Sequence, residues 1–423
     1  MEVTVKKSSN SIGPLKVISS KSLGHRAVIA ASLAAGESVI SNFKMSKDME
    51  ATISAMEALG AKIQVNGNRL IINGIESFSS LKSNDIDCFE SGSTIRFLIP
   101  VFSLTKQELR FRGSKRLLER PQDVYEKIFK SQKLEFQYHE NYILTKGILK
   151  AGKYEVMGNI SSQFITGLLF TLPLLQGDSI IKILGKFESK SYVDLTIDVL
   201  KLFGIKIDII NENEFFISGN QKYMPYNYEI ETDFSQLAFF AVLAAINSDL
   251  KFSNVNLSSK QGDKAILKIL ESFNVDIDYL DNELLVKKSN LVANKIDLQD
   301  CPDLGPILMV LASISRGKSH FINASRLRIK ESDRIAAMEA ELRKLNVNIS
   351  SVNDQIWVEN SDLKVLNNVL DSHNDHRIAM ALTIIATIVD EDVVITNAQA
   401  INKSYPTFYK DIESIGIEVL FDE

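Results

Sequence analysis

The sequence predicts an α/β (α+β) protein made of six similar units, and two periodic patterns and the composition carry that expectation. First, an amphipathic helix pattern that closes on an apolar residue plus Gly or Asn runs each time into an alternating strand, a turn and a second strand. The closing positions are Gly60, Lys133, Gly204, Asn274, Asn346 and Gly416, at intervals of 73, 71, 70, 72 and 70 residues. Gly and Asn tolerate the left-handed conformation that ends a helix, so Lys133 is the one exception to the expected type. Second, six apolar segments, each opened by a small polar cluster, begin near Ser22, Gly92, Ser162, Ser235, Asp303 and Asp375, at intervals of 70, 70, 73, 68 and 72. Third, 423 residues with 45% hydrophobic content and a formal charge of 48 − 53 = −5 have room for two or three well-buried domains.

Within each unit the order is strand, buried helix, strand, covering helix and strand pair. The buried helices read "SKSLGHRAVIAASLAAG", "ESGSTIRFLIPVFSL", "SSQFITGLLFTLPLLQG", "TDFSQLAFFAVLAAINS", "PDLGPILMVLASISRG" and "NDHRIAMALTIIATIV", apolar on nearly every side after the first turn. The covering helices, as in "MEALGAKIQVNGNRLIING", are amphipathic. A Ser, Asp or Asn opening one helix is ordinarily a cap. Six bare polar heads packed as two groups of three would instead aim positive dipole ends and N–H groups at a shared cleft, a site for an anionic ligand.

The acidic balance removes the basic footprint of a general nucleic-acid binder. No run of about 18 apolar residues occurs, and the start "MEVTVKKSSN" has neither an apolar signal core nor an Arg-rich presequence, so a cytoplasmic location is expected. Two cysteines and five histidines rule out a disulfide framework and disfavour a Cys/His metal cage. Arginine is absent from Pro121 to Ser315, which draws attention to where the remaining arginines fall.

Most fall inside the motifs that follow. The first head holds Lys21, Ser22 and Arg26, the last a guanidinium on an apolar helix that needs a partner. The third offers Ser161, Ser162 and Gln163, chemically a phosphate cradle, and "FESKSY" adds Ser189, Lys190 and Tyr192. The fifth brings Asp303, placed at a helix head where the dipole would favour its ionised form; the sixth brings Asn374, Asp375, His376 and Arg377. Between them "SRLRIKESDRIAAM" packs Arg326, Arg328, Lys330, Glu331, Asp333 and Arg334 ahead of a covering helix, a basic density that favours a site.

These residues carry a family resemblance. "SKSLGHRA", "ESGSTIRF", "ERPQDV", "SSQFITGLL", "ESKSYVD", "PDLGP", "RIKESDR", "NDHRIAMAL" and "NKSYP" occur in the order and spacing of the 5-enolpyruvylshikimate-3-phosphate synthases, over the whole chain. The resemblance implies transfer of the enolpyruvyl group of phosphoenolpyruvate to the 5-hydroxyl of shikimate 3-phosphate, with release of phosphate, on the route through chorismate to aromatic amino acids. It implies no metal or organic cofactor, no nucleic-acid or membrane partner, and a monomer. The implied fold is that of the enolpyruvyl transferases, two domains of three βαβαββ repeats with buried parallel helices, like an inverse α/β barrel. Residues 1–18 plus 232–423 would form the first domain and 19–231 the second, with the active site in the cleft between them.

Carried over motif by motif, Lys21 resembles a catalytic lysine shared by both substrates, and Ser22 and Arg26 would hold the shikimate moiety. Ser161, Ser162 and Ser189 would bind its 3-phosphate, with Gln163 at the junction of the ligands and Lys330 and Asp303 on the ring hydroxyls. Arg120, Arg334, Arg377 and Lys403 resemble the basic set around phosphoenolpyruvate, the Gly92 backbone would face its phosphate, and Glu331 and Asp303 resemble the acid–base pair. Tyr192 is a lesser contact, and Arg96 and His376 could be supporting residues. Departures from the commonest pattern are Glu90 and Arg326, each where Asn is usual, and Ser93 and Phe97, where Thr and Pro are more usual; they bear on sensitivity to glyphosate rather than on the reaction. The enolpyruvyl transferases acting on UDP-N-acetylglucosamine typically open with Lys-Asn and carry a reactive loop cysteine. Here Ser22 follows Lys21, and Cys88 has no basic neighbour close in sequence and reads as a packed thiol.

Overall fold

The computed structural model describes residues 1–8 and 13–422. The chain divides into two compact units, one continuous (Ser19–Glu231) and one discontinuous (Met1–Ile18 with Thr232–Glu423). Among the described residues no helix is long and apolar enough to cross a membrane.

The helices of the continuous unit are α1 (Lys21–Leu33), α2 (Lys47–Leu59), α3 (Gly92–Ser103), α4 (Lys115–Glu119), α5 (Asp123–Ser131), α6 (Ser162–Thr171) and α7 (Lys190–Leu202). Helices α1, α3 and α6 are buried on nearly every face, and three four-stranded sheets each lay their apolar side chains on them. One strand order recurs. Lys153–Met157 lies parallel to Ser179–Leu184, which pairs antiparallel with Glu214–Ile217, and that strand with Asp208–Asn211. The sheet of Asp85–Asp87, Glu108–Arg112, Tyr142–Lys146 and Glu135–Tyr138 repeats it. Helices α3 and α6 approach backbone to backbone at Gly167, where a Cβ would come within 2.4 Å of the Arg96 carbonyl oxygen.

The discontinuous unit continues with α8 (Phe234–Ile246), α9 (Ala265–Ser272), α10 (Gly305–Ile314), α11 (Arg334–Arg343), α12 (His376–Ala386) and α13 (Phe408–Ser414), with α8, α10 and α12 at its centre. The expectation of six in-line units needs correction at three strands. In the first repeat of the continuous unit, the strand parallel to Glu37–Ser41 is Tyr228–Glu229, from the far end of that unit. Beside Leu250–Ser253 the parallel partner is reduced to a bridge from Leu15 to Phe252. In the last repeat, among the described residues, Glu2–Val5 takes the hairpin's second place between Val393–Thr396 and Val419–Asp422. An open strand edge leaves backbone donors and acceptors unpaired, so segments at the chain start and at the crossings between units complete the sheets.

All six helix-closing positions take positive φ: 121° at Gly60, 59° at Lys133, 81° at Gly204, 67° at Asn274, 65° at Asn346 and 87° at Gly416. Exposed Lys133 therefore accepts the strained backbone that the others adopt cheaply. Lys133→Gly is expected to raise unfolding stability by about 1 kcal/mol, read as a higher urea midpoint at unchanged slope. A lower midpoint would mean that the lysine side chain contributes more than its backbone strain costs.

Candidate active site

In the continuous unit the heads of the three central helices carry hydroxyl caps. Ser20 Oγ accepts from the Leu23 amide, Ser91 Oγ from that of Thr94, and Ser161 Oγ from that of Gln163. The heads are thus not bare, as the sequence suggested. A neutral cap nevertheless leaves the positive dipole end without a countercharge. Lys21, the first residue of α1, places Nζ 2.6 Å from Asp48 Oδ2 in the first turn of α2. The carbonyl of half-buried Ser22 accepts from Arg26 Nη1 at 2.7 Å, while Arg26 Nε donates to Thr196 Oγ1 and Nη2 to the Tyr192 carbonyl, both at 2.9 Å. Burial lowers the Arg26 pKa to about 10, so the guanidinium keeps its charge near neutrality.

The heads of α3 and α6 are joined by side chains. Arg96 Nη1 donates to Gln163 Oε1 at 2.9 Å, Gln163 Nε2 to Ser93 Oγ at 3.0 Å, and Arg96 Nη2 to the Pro121 carbonyl at 2.8 Å. Arg96 thus supports Gln163 here. Ser161 and Ser162 are buried on the head of α6, and Ser189, fully buried, precedes α7 in a left-handed conformation with φ 52°. Glu90 is half-buried beside the Ser91 cap. Arg120 lies against Gly92 so closely that a Cβ there would stand 2.9 Å from both terminal guanidinium nitrogens. Gly92→Ala is therefore expected to displace the Arg120 guanidinium.

The discontinuous unit is built differently, with acidic caps. Asp233 caps α8, Asp375 caps α12, and α10 has no side-chain cap. Asp303 lies in a 3₁₀ turn (Pro302–Leu304) before α10, a correction to its expected place at the helix head. Its charge is held by neighbours: burial pushes the carboxyl up, but Arg377, Lys330 and Arg334 together hold it well below the usual carboxylate range. Lys330 Nζ and Arg334 Nη1 reach Asp303 Oδ1 at 3.1 and 2.9 Å, and Arg377 Nη2 reaches Oδ2 at 3.1 Å. Arg334, 1% exposed, also donates from Nη2 to Glu331 Oε2 at 2.7 Å and from Nε to Asp375 Oδ2 at 2.8 Å. Arg377 Nη2 donates to Ser235 Oγ at 3.0 Å, and Lys403 Nζ to the Asn374 carbonyl. His376 is buried in the first turn of α12, and Arg326 is buried too. Five cations (Arg326, Lys330, Arg334, Arg377, Lys403) against three acids (Asp303, Glu331, Asp375) leave this set at 5 − 3 = +2. Arg328 pairs at 3.1 Å with Asp333, the cap of α11, so part of the basic density in "SRLRIKESDR" is ordinary capping.

Asp48 and Thr196 were not legible as site residues. Asp48 in "SKDME" has the form of any acid in a helix's first turn, and its partner Lys21 lies 27 positions away.

Central helices wrapped by sheets in each unit, with cations gathered at helix heads, define a class, the enolpyruvyl transferases. EPSP synthase from Acinetobacter baumannii has this fold, with a TM-score of 0.81 and 23% identity over 99% of this chain and 100% of that one. So does the enolpyruvyl transferase NikO from Streptomyces tendae, with a TM-score of 0.82 and 14% identity over 99% and 98% of the two chains. The model of the family EPSP synthase (3-phosphoshikimate 1-carboxyvinyltransferase) matches residues 5–412. Proteins named 3-phosphoshikimate 1-carboxyvinyltransferase from Clostridium perfringens and Clostridium novyi are 43% identical over 407 residues and 44% over 415, covering 96% of this chain in each case and 96% and 95% of theirs. The chain belongs to the EPSP synthase family. Its reaction is transfer of the enolpyruvyl group of phosphoenolpyruvate to shikimate 3-phosphate, in the shikimate route to aromatic amino acids.

Proposed function

We propose that the two units divide this reaction by the chemistry of their helix caps. The continuous unit, with neutral serine caps, takes the 3-phosphate of shikimate 3-phosphate on Ser161, Ser162 and Ser189, and its ring side on Lys21, Ser22 and Arg26. Gln163, Arg120 and the Gly92 backbone face phosphoenolpyruvate. The discontinuous unit supplies Asp303 and Lys330 to the ring hydroxyls, and Arg334, Arg377 and Lys403 to phosphoenolpyruvate. The observation that carries this division is the contrast of caps: hydroxyls leave positive helix ends for a phosphate, whereas Asp303 and Asp375 stand among cations that a second anion can take over.

The 5-hydroxyl adds to C2 of phosphoenolpyruvate, losing its proton toward Asp303, while C3 gains one from Glu331. The resulting tetrahedral intermediate expels phosphate as C3 gives a proton back. Anionic substrates sharing the cations around Asp303 loosen their hold on its carboxylate and raise its proton affinity, as a base requires. The protein acts as a monomer in the cytoplasm, to be checked by sedimentation and fractionation.

Phosphate release requiring both substrates tests the reaction, and Ser162→Ala with Ser189→Ala tests the division. The Michaelis constant for shikimate 3-phosphate should rise more than that for phosphoenolpyruvate; a reversed order would overturn the assignment. Lys330 adds a pH test. Burial and the nearby charges of Arg326 and Arg334 outweigh Asp303 and lower its pKa to about 8, so it loses its proton as pH rises through that value. The kcat/KM for shikimate 3-phosphate should therefore fall above pH 8, and Arg326→Asn, which removes one lowering charge, should move that limb upward. A limb that stays in place would remove Lys330 as its source.

A further inference from the structure

We infer that His25 and Thr52, which have no substrate role in the reading above, are positioning residues that hold the head of α3 through a buried hydrogen-bonded chain. The chain runs from His25 Nδ1 to Thr52 Oγ1 at 2.8 Å, on to Thr94 Oγ1 at 2.6 Å and to Ser91 Oγ at 2.7 Å. All four residues are 0% exposed. It links α1, α2 and α3 and ends on the cap of the helix that begins at Gly92. Polar groups in such an apolar interior destabilise it unless satisfied, and a cap needs no such chain: Ser20 and Ser161 close their helices without one.

Counting protons gives the chain a direction. A hydroxyl has one proton to donate and two lone pairs. Thr94 gives its proton to Ser91 and so accepts from Thr52. Thr52, having given its own, accepts from His25, whose Nδ1 must carry the hydrogen. Burial, reinforced by Lys21 and Arg26, holds the imidazole pKa well below its ordinary value and keeps the ring neutral. Nε2 is then a bare acceptor, and it is the ring nitrogen buried without a hydrogen-bond partner. That is the cheaper tautomer, since an unpaired N–H would lose a donor bond. At the other end, Ser91 Oγ accepts both the amide and the hydroxyl of Thr94, which occupies both lone pairs and fixes its rotamer. The first turn of α3, with the Gly92 amide and with Ser93, which accepts from Gln163, cannot swing without breaking a chain rooted in two other helices.

The inference rests on the reading of the α3 head as the phosphoenolpyruvate side, and the variants separate the two. Thr52→Val keeps the shape and removes the middle of the chain. It should raise the Michaelis constant for phosphoenolpyruvate about tenfold, and Thr52→Ser should restore it. Calorimetric affinity for shikimate 3-phosphate should stay within about twofold, because Arg26 is held separately by Thr196 and the Tyr192 carbonyl. If Ser91→Ala raises that constant and Thr52→Val does not, the chain is passive and the inference falls while the site reading stands. If Ser91→Ala leaves it unchanged, the reading of the α3 head falls and takes the inference with it. Should Thr52→Val fold poorly, nitrogen-15 NMR of the parent protein decides: the Nδ1–H tautomer of His25 is expected, and an Nε2–H tautomer overturns the chain.

Discussion

Arg334→Met is expected to lower the unfolding free energy by about 3–5 kcal/mol, the scale for removing one member of a buried ionic cluster. The guanidinium is 1% exposed and serves Asp303, Glu331 and Asp375 at 2.7 to 2.9 Å, so its loss leaves three acids in a desolvated place with less countercharge. The pH dependence distinguishes this from a packing defect. In the parent protein the Asp303 pKa is depressed, so its contribution to stability is present above the unfolded value near 3.8 and is lost as pH falls through the folded value. Removing Arg334 takes away one of the cations responsible and raises that pKa. The deficit of the variant should thus be constant above about pH 5 and shrink as pH falls below the unfolded value near 3.8, measured by chemical denaturation at about pH 6 and about pH 3. A deficit independent of pH would assign the loss to packing.

Glu331→Gln should reduce turnover at least ~100-fold, the usual scale for a general acid or base, with shikimate 3-phosphate binding nearly unchanged. The Glu331 carboxylate accepts from Arg334 Nη2 at 2.7 Å, the cation assigned to phosphoenolpyruvate in the proposal above, which places the acid beside the proposed reacting carbon. In deuterated water the variant should label C3 slowly. Labelling at the parental rate would remove Glu331 as donor and leave Lys21 or Lys403. Asp303→Asn should lower turnover comparably but also reduce stability, since Lys330, Arg334 and Arg377 all share that carboxylate. The two variants therefore differ in a measurement that involves no catalysis.

What the sequence determined by itself is local. Helix and strand periods, and the tolerance of Gly and Asn for positive φ, act over a few neighbouring residues, so the repeat boundaries at Gly60, Gly204, Asn274, Asn346 and Gly416 were readable, and Lys133 was placed by period alone. Serines at helix heads were readable too, as caps and as candidate phosphate ligands. Only the tertiary structure decided which strand completes each sheet, that Asp303 precedes its helix in a 3₁₀ turn, that Asp48 holds Lys21, and that Arg334 spends its donors on three carboxylates. The partners in these contacts lie far apart in sequence, 27 positions for Lys21 and Asp48, 41 for Arg334 and Asp375, 170 for Arg26 and Thr196. A charge or hydroxyl states in sequence only that it needs a partner. Burial and distance choose which one, because an unpaired polar group in the interior costs more than almost any alternative arrangement.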